Sequence, residues 1–175
     1  MKFITSNKNK YAETKTILGI DLEMLSLNLP EIQSENPQQV ALYKATYAKD
    51  LGYDDFIVED SGLLLGDNEE VGALIKWFAI GRIVKAFINE EARAVSVFVL
   101  CKDGKLEVFQ DVVYGKVVFP RGENGFGWDC IFEFKGKTFA ELSTLEKNQM
   151  SPRAGALKDL KEYLTKSKNS GIIKV

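Results

Sequence analysis

Two adjacent carboxylates, Glu59 and Asp60, follow the apolar triplet Phe56-Ile57-Val58 and precede Ser61-Gly62. At the end of a buried strand, one carboxylate can hold a divalent cation while the other activates or orients a water. Glu31, directly after Pro30, could join Asp60 around such a metal. The segment Thr5-Ser6-Asn7-Lys8-Asn9-Lys10 suits an anion instead. Backbone N–H groups at a helix start attract phosphate, Lys8 and Lys10 would add charge, and Ser6 and Asn7 would add hydrogen bonds. It lacks the glycine spacing of a Walker A loop. Lys44 shares a helical row with Tyr47 and Ala48, from which a long side chain can reach into a cleft. A third kind of chemistry lies in Gly125-Phe126-Gly127-Trp128-Asp129, followed by Lys147, Ser151 and Arg153. Phe126 and Trp128 offer ring faces to a nucleobase, and Asp129 offers acceptors for a ring N–H. Lys147 and Arg153 offer donors for phosphate or carbonyl oxygen. Each segment also has a purely structural explanation: a capped helix start, an acidic turn, a solvated lysine, a core tryptophan.

Composition narrows the choice. The chain has no histidine, which excludes Ser-His-Asp and Cys-His nucleophile systems and histidine-ligated zinc. Two cysteines, Cys101 and Cys130, are too few for a structural zinc site and are expected to be apolar side chains of a reducing compartment. Asp, Glu, Lys, Arg and hydroxyls remain, a set that suits magnesium and phosphate. A net charge of −2 predicts no general attraction to nucleic acid or to an anionic membrane, so any anion site must be local. The N-terminus reads as lacking a secretion signal, and no apolar run reaches the length of a membrane span. A cytoplasmic protein is expected. At 175 residues it should form one domain, 1–175.

The elements that must position these residues follow from periodicity and punctuation. Strands are expected over 3–5 and 22–27, with a helix over 7–18 between them and Gly19 just past its end. Asn36-Pro37 starts a second helix, with Asn capping and Pro at the first helical position. Residues 56–58 form a short buried strand that ends in Glu59-Asp60. A helix over 74–88 has a possible break at Gly81. Asp103-Gly104 marks a hairpin between strands 92–102 and 105–119. Residues 120–130 form a Gly-rich loop, 131–134 a strand, and 138–147 and 151–164 closing helices; the tail 165–175 has no assignment. The fold class is α/β with a mixed sheet.

These pieces, in this order, resemble the inosine triphosphate pyrophosphatase family. The matching motifs are Thr5-x-Asn7-x-x-Lys10-x-x-Glu13, Leu29-Pro30-Glu31, Lys44-Ala45, Glu59-Asp60-Ser61-Gly62-Leu63 and Ile75-Lys76-Trp77-Phe78. Pro120-Arg121-Gly122, Phe126 to Asp129, Ala140-Glu141, Glu146-Lys147-Asn148 and Ser151-Pro152-Arg153 complete the set. The resemblance covers residues 3 to about 164. It implies an elongated mixed sheet with helices forming two lobes around a central cleft, commonly as a homodimer. It also implies magnesium-dependent hydrolysis of the bond between the α and β phosphates of non-standard purine nucleoside triphosphates. Glu31, Asp60 and nearby Glu59 fall to the metal and water side, with Asp60, Glu31 and Lys44 as catalytic candidates. Ser6, Asn7, Lys8, Lys10 and Lys76 are candidates for binding the triphosphate, which Lys44 also serves. Phe126, Trp128, Asp129, Lys147, Ser151 and Arg153 form the nucleoside pocket. Two positions depart from the family pattern. Val71-Gly72 stands where Pro-Gly is usual, and Pro152 stands where the family carries a histidine that donates toward the 6-oxo group. Proline has no side-chain donor, so a different or broader nucleotide set is an alternative substrate reading. A nucleotide-binding protein with little turnover is a third.

Overall fold

The computed structural model describes residues 1–67 and 70–170. Its first strand, β1 (Lys2–Ile4), feeds helix α1 (Lys8–Leu18). Asn7 caps that helix by accepting from the Asn9 and Lys10 N–H groups, and Gly19 ends it in the left-handed region at φ 62°. Strand β2 (Glu23–Leu25) lies parallel to β1. Helix α2 (Pro37–Asp50) starts at the Asn36 cap with Pro37 at its first position. Strand β3 (Phe56–Leu65) follows, then the short β4 (Glu70–Gly72), a 3₁₀ turn over Ala73–Trp77, and helix α3 (Ile80–Phe87). The long hairpin is β5 (Glu91–Lys102) and β6 (Lys105–Val117), turned by Asp103-Gly104. After the loop come β7 (Phe132–Phe134), β8 (Lys137–Thr138), a 3₁₀ turn over Phe139–Glu141, α4 (Thr144–Met150) and α5 (Pro152–Ser170).

One eight-stranded mixed sheet runs through the molecule in the order β2-β1-β3-β5-β6-β7-β8, with β4 also on β3. Strand β3 uses one edge along its whole length, pairing Phe56–Leu65 with Cys101–Ala92 of β5. Its other edge is shared. Parallel β1 takes Phe56 and Ile57, and antiparallel β4 takes Leu63–Leu65. Between β1 and β4 the edge at residues 58–62 is left open, and Glu59 and Asp60 lie in that gap.

Three apolar clusters surround the sheet. On one face α2 contributes Ala41, Ala45 and Ala48 against Val58, Val97 and Val99. On the other, α1 and α5 bring Leu18, Leu157 and Leu160 against Phe3, Ile57 and Phe98. Beyond the gap, Leu63, Leu65, Ile83, Val117, Phe132 and Phe139 form the core of the second lobe.

Several expectations need correction. The third strand does not stop at Val58; its ten residues carry Glu59 and Asp60 in mid-strand, because pairing with β5 continues to Leu65. Gly62 is there for close approach: a Cβ on it would lie 2.6 Å from the Gly72 backbone of β4. Strand β4 was not expected; it holds Val71 at φ 73°, an outlier for a β-branched residue, beside Gly72 at φ 48°. The helix expected over 74–88 is two pieces, and the break falls at Phe78-Ala79, not at Gly81, which lies inside α3. The helix expected over 138–147 is likewise divided, since Thr138 ends β8 and Ser143 caps a new start. The strand expected over 22–27 is three residues long, and the hairpin's second strand stops at Val117. The last helix extends to Ser170, while 171–175 lie outside the described residues.

Candidate functional site

A cleft of about 800 Å³ opens at the gap in the sheet edge. Its walls bring together Ser6, Asn7 and Lys10 from the start of α1, Glu31 from the loop after β2, and Lys44 from α2. Glu59, Asp60, Lys76, Phe126 and Trp128 complete it. Lys8 is exposed and lies outside it.

Side chains alternate across a strand, so the neighbours Glu59 and Asp60 turn to opposite faces of β3. Asp60 turns to α2, where Lys44 Nζ donates to its Oδ1 at 2.7 Å. The same ammonium lies 2.6 Å from Glu31 Oε1, and Glu31 also pairs with Lys76. One lysine therefore holds two carboxylates from separate segments. Burial opposes the charge on Glu31, but its bonds to Lys44 and Lys76 outweigh burial and hold the carboxyl at about 2. For Asp60 the balance is reversed: burial raises its pKa despite Lys10 and Lys44.

Glu59 turns to the face of α1 and α5. Its side chain is fully buried, and its Oε1 accepts from Arg153 Nη2 and from the Ser96 hydroxyl, each at 3.0 Å. Lys10 Nζ lies 2.5 Å from Oε2, a close charge contact without the alignment of a hydrogen bond. Burial opposes this charge too, but Lys10 and Arg153 prevail and the carboxyl is held at about 2. From Arg153 the charges continue inward. Its other amino group pairs with Glu13, which accepts from Lys147 Nζ at 2.9 Å. Lys147 in turn donates to Asp129 Oδ2 at 2.6 Å. Lys10, Glu59, Arg153, Glu13, Lys147 and Asp129 thus form one chain of alternating sign, balanced in charge, as burial requires.

The far end of this chain opens on a pocket of about 50 Å³, walled by Trp128, Asp129, Phe139, Lys147, Ser151, Pro152 and Arg153. Phe126-Gly127-Trp128 lines both this pocket and the cleft. The Phe126 ring covers the two cations, with Lys147 Nζ 4.5 Å and Arg153 Cζ 5.7 Å from its centre. A base approaching either cation must share or displace that ring. Local structure explains the placement. Gly125 has φ 77°, and a Cβ there would lie 2.3 Å from Asp129 Oδ2, the oxygen that receives Phe126 N–H at 2.7 Å. Ser143 and Glu146 form a capping box that starts α4 and seats Lys147. Ser151 Oγ accepts from Ala154 N–H, and Pro152 opens α5 just before Arg153.

Two members escaped sequence reasoning. Glu13 received no role, although its spacing three residues after Lys10 puts both on one helix face. Ser96 is the one hydroxyl in the apolar run Val95–Leu100 and is buried against Glu59.

Among the described residues, no three His, Cys, Asp or Glu side chains cluster as a metal cage. Glu31 and Asp60 are hard oxygen donors on either side of one ammonium. Magnesium commonly takes one or two carboxylates and completes its shell with water and substrate phosphates. This donor set fits magnesium.

Comparison with known proteins agrees with this architecture. The chain is 38% identical over 178 aligned residues to an inosine triphosphate pyrophosphatase of Neurospora crassa, covering 95% of this chain and 93% of the relative. It is 39% identical over 176 residues to the protein of that name from Phaeosphaeria nodorum, covering 94% and 93%. Among solved structures, a HAM1 protein from Coxiella burnetii superposes with a TM-score of 0.81 at 26% identity, over 94% of this chain and 98% of that one. The Staphylococcus aureus Ham1 protein, at 24% identity and a TM-score of 0.80, shares the fold. Residues 1–163 match the Ham1 family, and the chain belongs to that family.

Proposed function

We infer that this protein is a nucleoside triphosphate pyrophosphatase that cleaves non-standard purine nucleotides (inosine, deoxyinosine and xanthosine triphosphates) to the monophosphate and pyrophosphate. The observation that carries the reading is the junction at Phe126–Trp128, where a cleft holding Glu31, Lys44 and Asp60 meets a pocket walled by rings and buried charges. Relatives named inosine triphosphate pyrophosphatase support the substrate. Removing such nucleotides would cleanse the nucleotide pool.

In this reading Asn7, Lys10 and the α1 N-terminus bind the phosphates, with Ser6 and Lys76 at the rim. Asn7 spends its carbonyl on the helix cap, which leaves its amide N–H groups for a ligand. Glu31 and Asp60 would hold magnesium, which when bound neutralises phosphate charge and orients the substrate. Lys44 fixes both carboxylates. Asp60 takes the proton of the attacking water as its oxygen bonds to phosphorus and the bridging P–O bond breaks. Trp128, Asp129, Lys147, Ser151 and Arg153 surround the base, and Phe126 covers it. The protein would act in the cytoplasm as a homodimer of one domain each, with no nucleic-acid or membrane partner. With magnesium and inosine triphosphate, the purified protein should release pyrophosphate and monophosphate in equal amounts; release of orthophosphate would refute cleavage between the α and β phosphates.

A second reading, the same reaction on a broader nucleotide set, is favoured by Pro152. It is buried in the wall of the base pocket and has no donor to offer. A lost hydrogen bond of about 1–3 kcal/mol corresponds to roughly tenfold to a hundredfold in selectivity. Pro152→His should therefore raise the preference for inosine over adenosine triphosphate by about tenfold or more in kcat/KM. An unchanged ranking of substrates would make Pro152 neutral.

A further inference from the structure

We propose that Glu59 is a positioning residue that couples recognition of the base to the placement of Lys10 against the phosphates. The proposal rests on the pyrophosphatase reading above but assigns Glu59 a different task from its neighbour Asp60. Alternation along β3 turns the two carboxylates to opposite faces, Asp60 to Lys44 on α2 and Glu59 to α1 and α5. Both oxygens of Glu59 are engaged. Oε1 takes Arg153 and Ser96, Oε2 faces Lys10, and its side chain is fully buried. Glu59 is thus committed to Lys10 and Arg153, whereas the carboxylates gathered around Lys44 are Glu31 and Asp60.

Its two cationic partners belong to different ends of the site. Lys10 lines the cleft, at the helix start suited to phosphate. Arg153 lines the base pocket and lies beneath the Phe126 ring. Beyond Arg153, Glu13 and Lys147 carry the chain to Asp129, whose Oδ2 holds the Phe126 N–H. A ligand drawing Arg153 or Lys147 into contact must rearrange a buried network in which every charge is shared. Glu59 is the member through which such a rearrangement reaches Lys10. Arg153 Nε is buried and has no hydrogen-bond partner among the described residues.

The test is the binding of inosine and of magnesium pyrophosphate, each alone and in the presence of the other, by calorimetry. Coupling between two sites is reciprocal. In the wild-type protein each probe should tighten the other by the same factor, about fivefold or more. Glu59→Gln, which keeps the shape and removes the charge, should bring that factor close to one. Ser96→Ala removes only one bond to Glu59 and should reduce the factor partway; it carries the test if Glu59→Gln does not fold. The magnesium concentration giving half-maximal hydrolysis should change less than the coupling factor in either variant, because Glu59 is held by Lys10, Arg153 and Ser96 whereas Glu31 and Asp60 are held by Lys44. Independent binding of the two probes to the wild type, or undiminished coupling in both variants, overturns the proposal. So does a magnesium requirement raised tenfold with coupling intact, because Glu59 would then be a metal ligand. Failure of both probes to bind overturns the pyrophosphatase reading and the coupling with it.

Discussion

At the scale of single residues, burial decides which carboxylate can accept a proton. Glu31 is more exposed and doubly paired with lysines, which holds it ionised and weakly basic. Asp60 is buried enough that its pKa rises despite Lys44, so it retains proton affinity while staying within reach of the cleft. Asp60→Asn preserves the shape and the acceptor for Lys44 but removes the base. In the proposed mechanism the variant should lose about 10²–10⁴-fold in kcat in a pyrophosphate-release assay, and its magnesium requirement should rise because Asp60 would also hold the metal. A fully active variant would take the role away from Asp60. The Glu59-Asp60 pair was legible in the sequence as chemistry, but its division was not. A strand boundary placed at Val58 hides the alternation that sends the two carboxylates to opposite faces. Lys44 was visible as a long side chain beside an apolar row, yet only the folded chain brings Glu31 and Asp60 to one ammonium. Glu13 stayed hidden because its partners, Lys147 and Arg153, lie far along the chain.

At the scale of elements, a short helix with an explicit cap holds Lys147 on the base side of the site. Helix α4 has seven residues and owes its start to Ser143, whose Oγ accepts from Glu146 N–H at 3.2 Å while Glu146 Oε2 accepts from Ser143 N–H at 2.8 Å. Ser143→Ala should cost about 1 kcal/mol in urea unfolding. It should also raise KM for the nucleotide more than it lowers kcat, because Lys147 lies in the helix that loses its cap. Bonds from the Ser143 hydroxyl and N–H hold the Glu146 carboxyl below the usual range. A depressed folded value means that its contribution is fully present above the unfolded pKa and is lost as pH falls through the folded one. The stability gap between wild type and Glu146→Gln should therefore be present near neutral pH and shrink as pH falls below the ordinary glutamate range, measured by urea melts. Residues 138–147 show why such elements resist reading. Periodicity there suggests one helix, but a capping box at Thr138 and another at Ser143 make two starts, and local hydrogen bonds win over the run of apolar spacing. Ser61-Gly62, for which an acidic turn is one explanation, shows tertiary pairing deciding instead. Turn-forming residues continue a strand there because ten pairs with β5 outweigh their preference.

At the scale of the molecule, the two sides of the cleft share strands. Strand β3 gives Phe56 and Val58 to the core under α2, Ile57 to the core under α1 and α5, and Leu63 and Leu65 to the second lobe. Strand β5 does the same with Val97 and Val99, Phe98 and Leu100, and Ala92 and Ala94. No linker separates the lobes, so a loss of packing in one must be felt by the other. Phe132 provides the test. It is fully buried in the second lobe, with its ring centre 4.9 Å from Phe139 and 5.8 Å from Trp128. Phe132→Ala should cost about 3–5 kcal/mol. For a chain of this size that lowers the midpoint of thermal unfolding by about 10 °C. Of the two tryptophans Trp77 is exposed, so the change in fluorescence on unfolding reports chiefly on Trp128 beside the altered core, whereas far-ultraviolet circular dichroism is weighted toward the long helices α1, α2 and α5. If the sheet unfolds as one unit, both signals should move together and give coincident transitions in wild type and variant. A fluorescence transition that falls while the helical signal keeps its midpoint would show two units joined only by their strands. The cleft would then lie between parts able to unfold separately, and the single-domain reading of residues 1–175 would have to be abandoned.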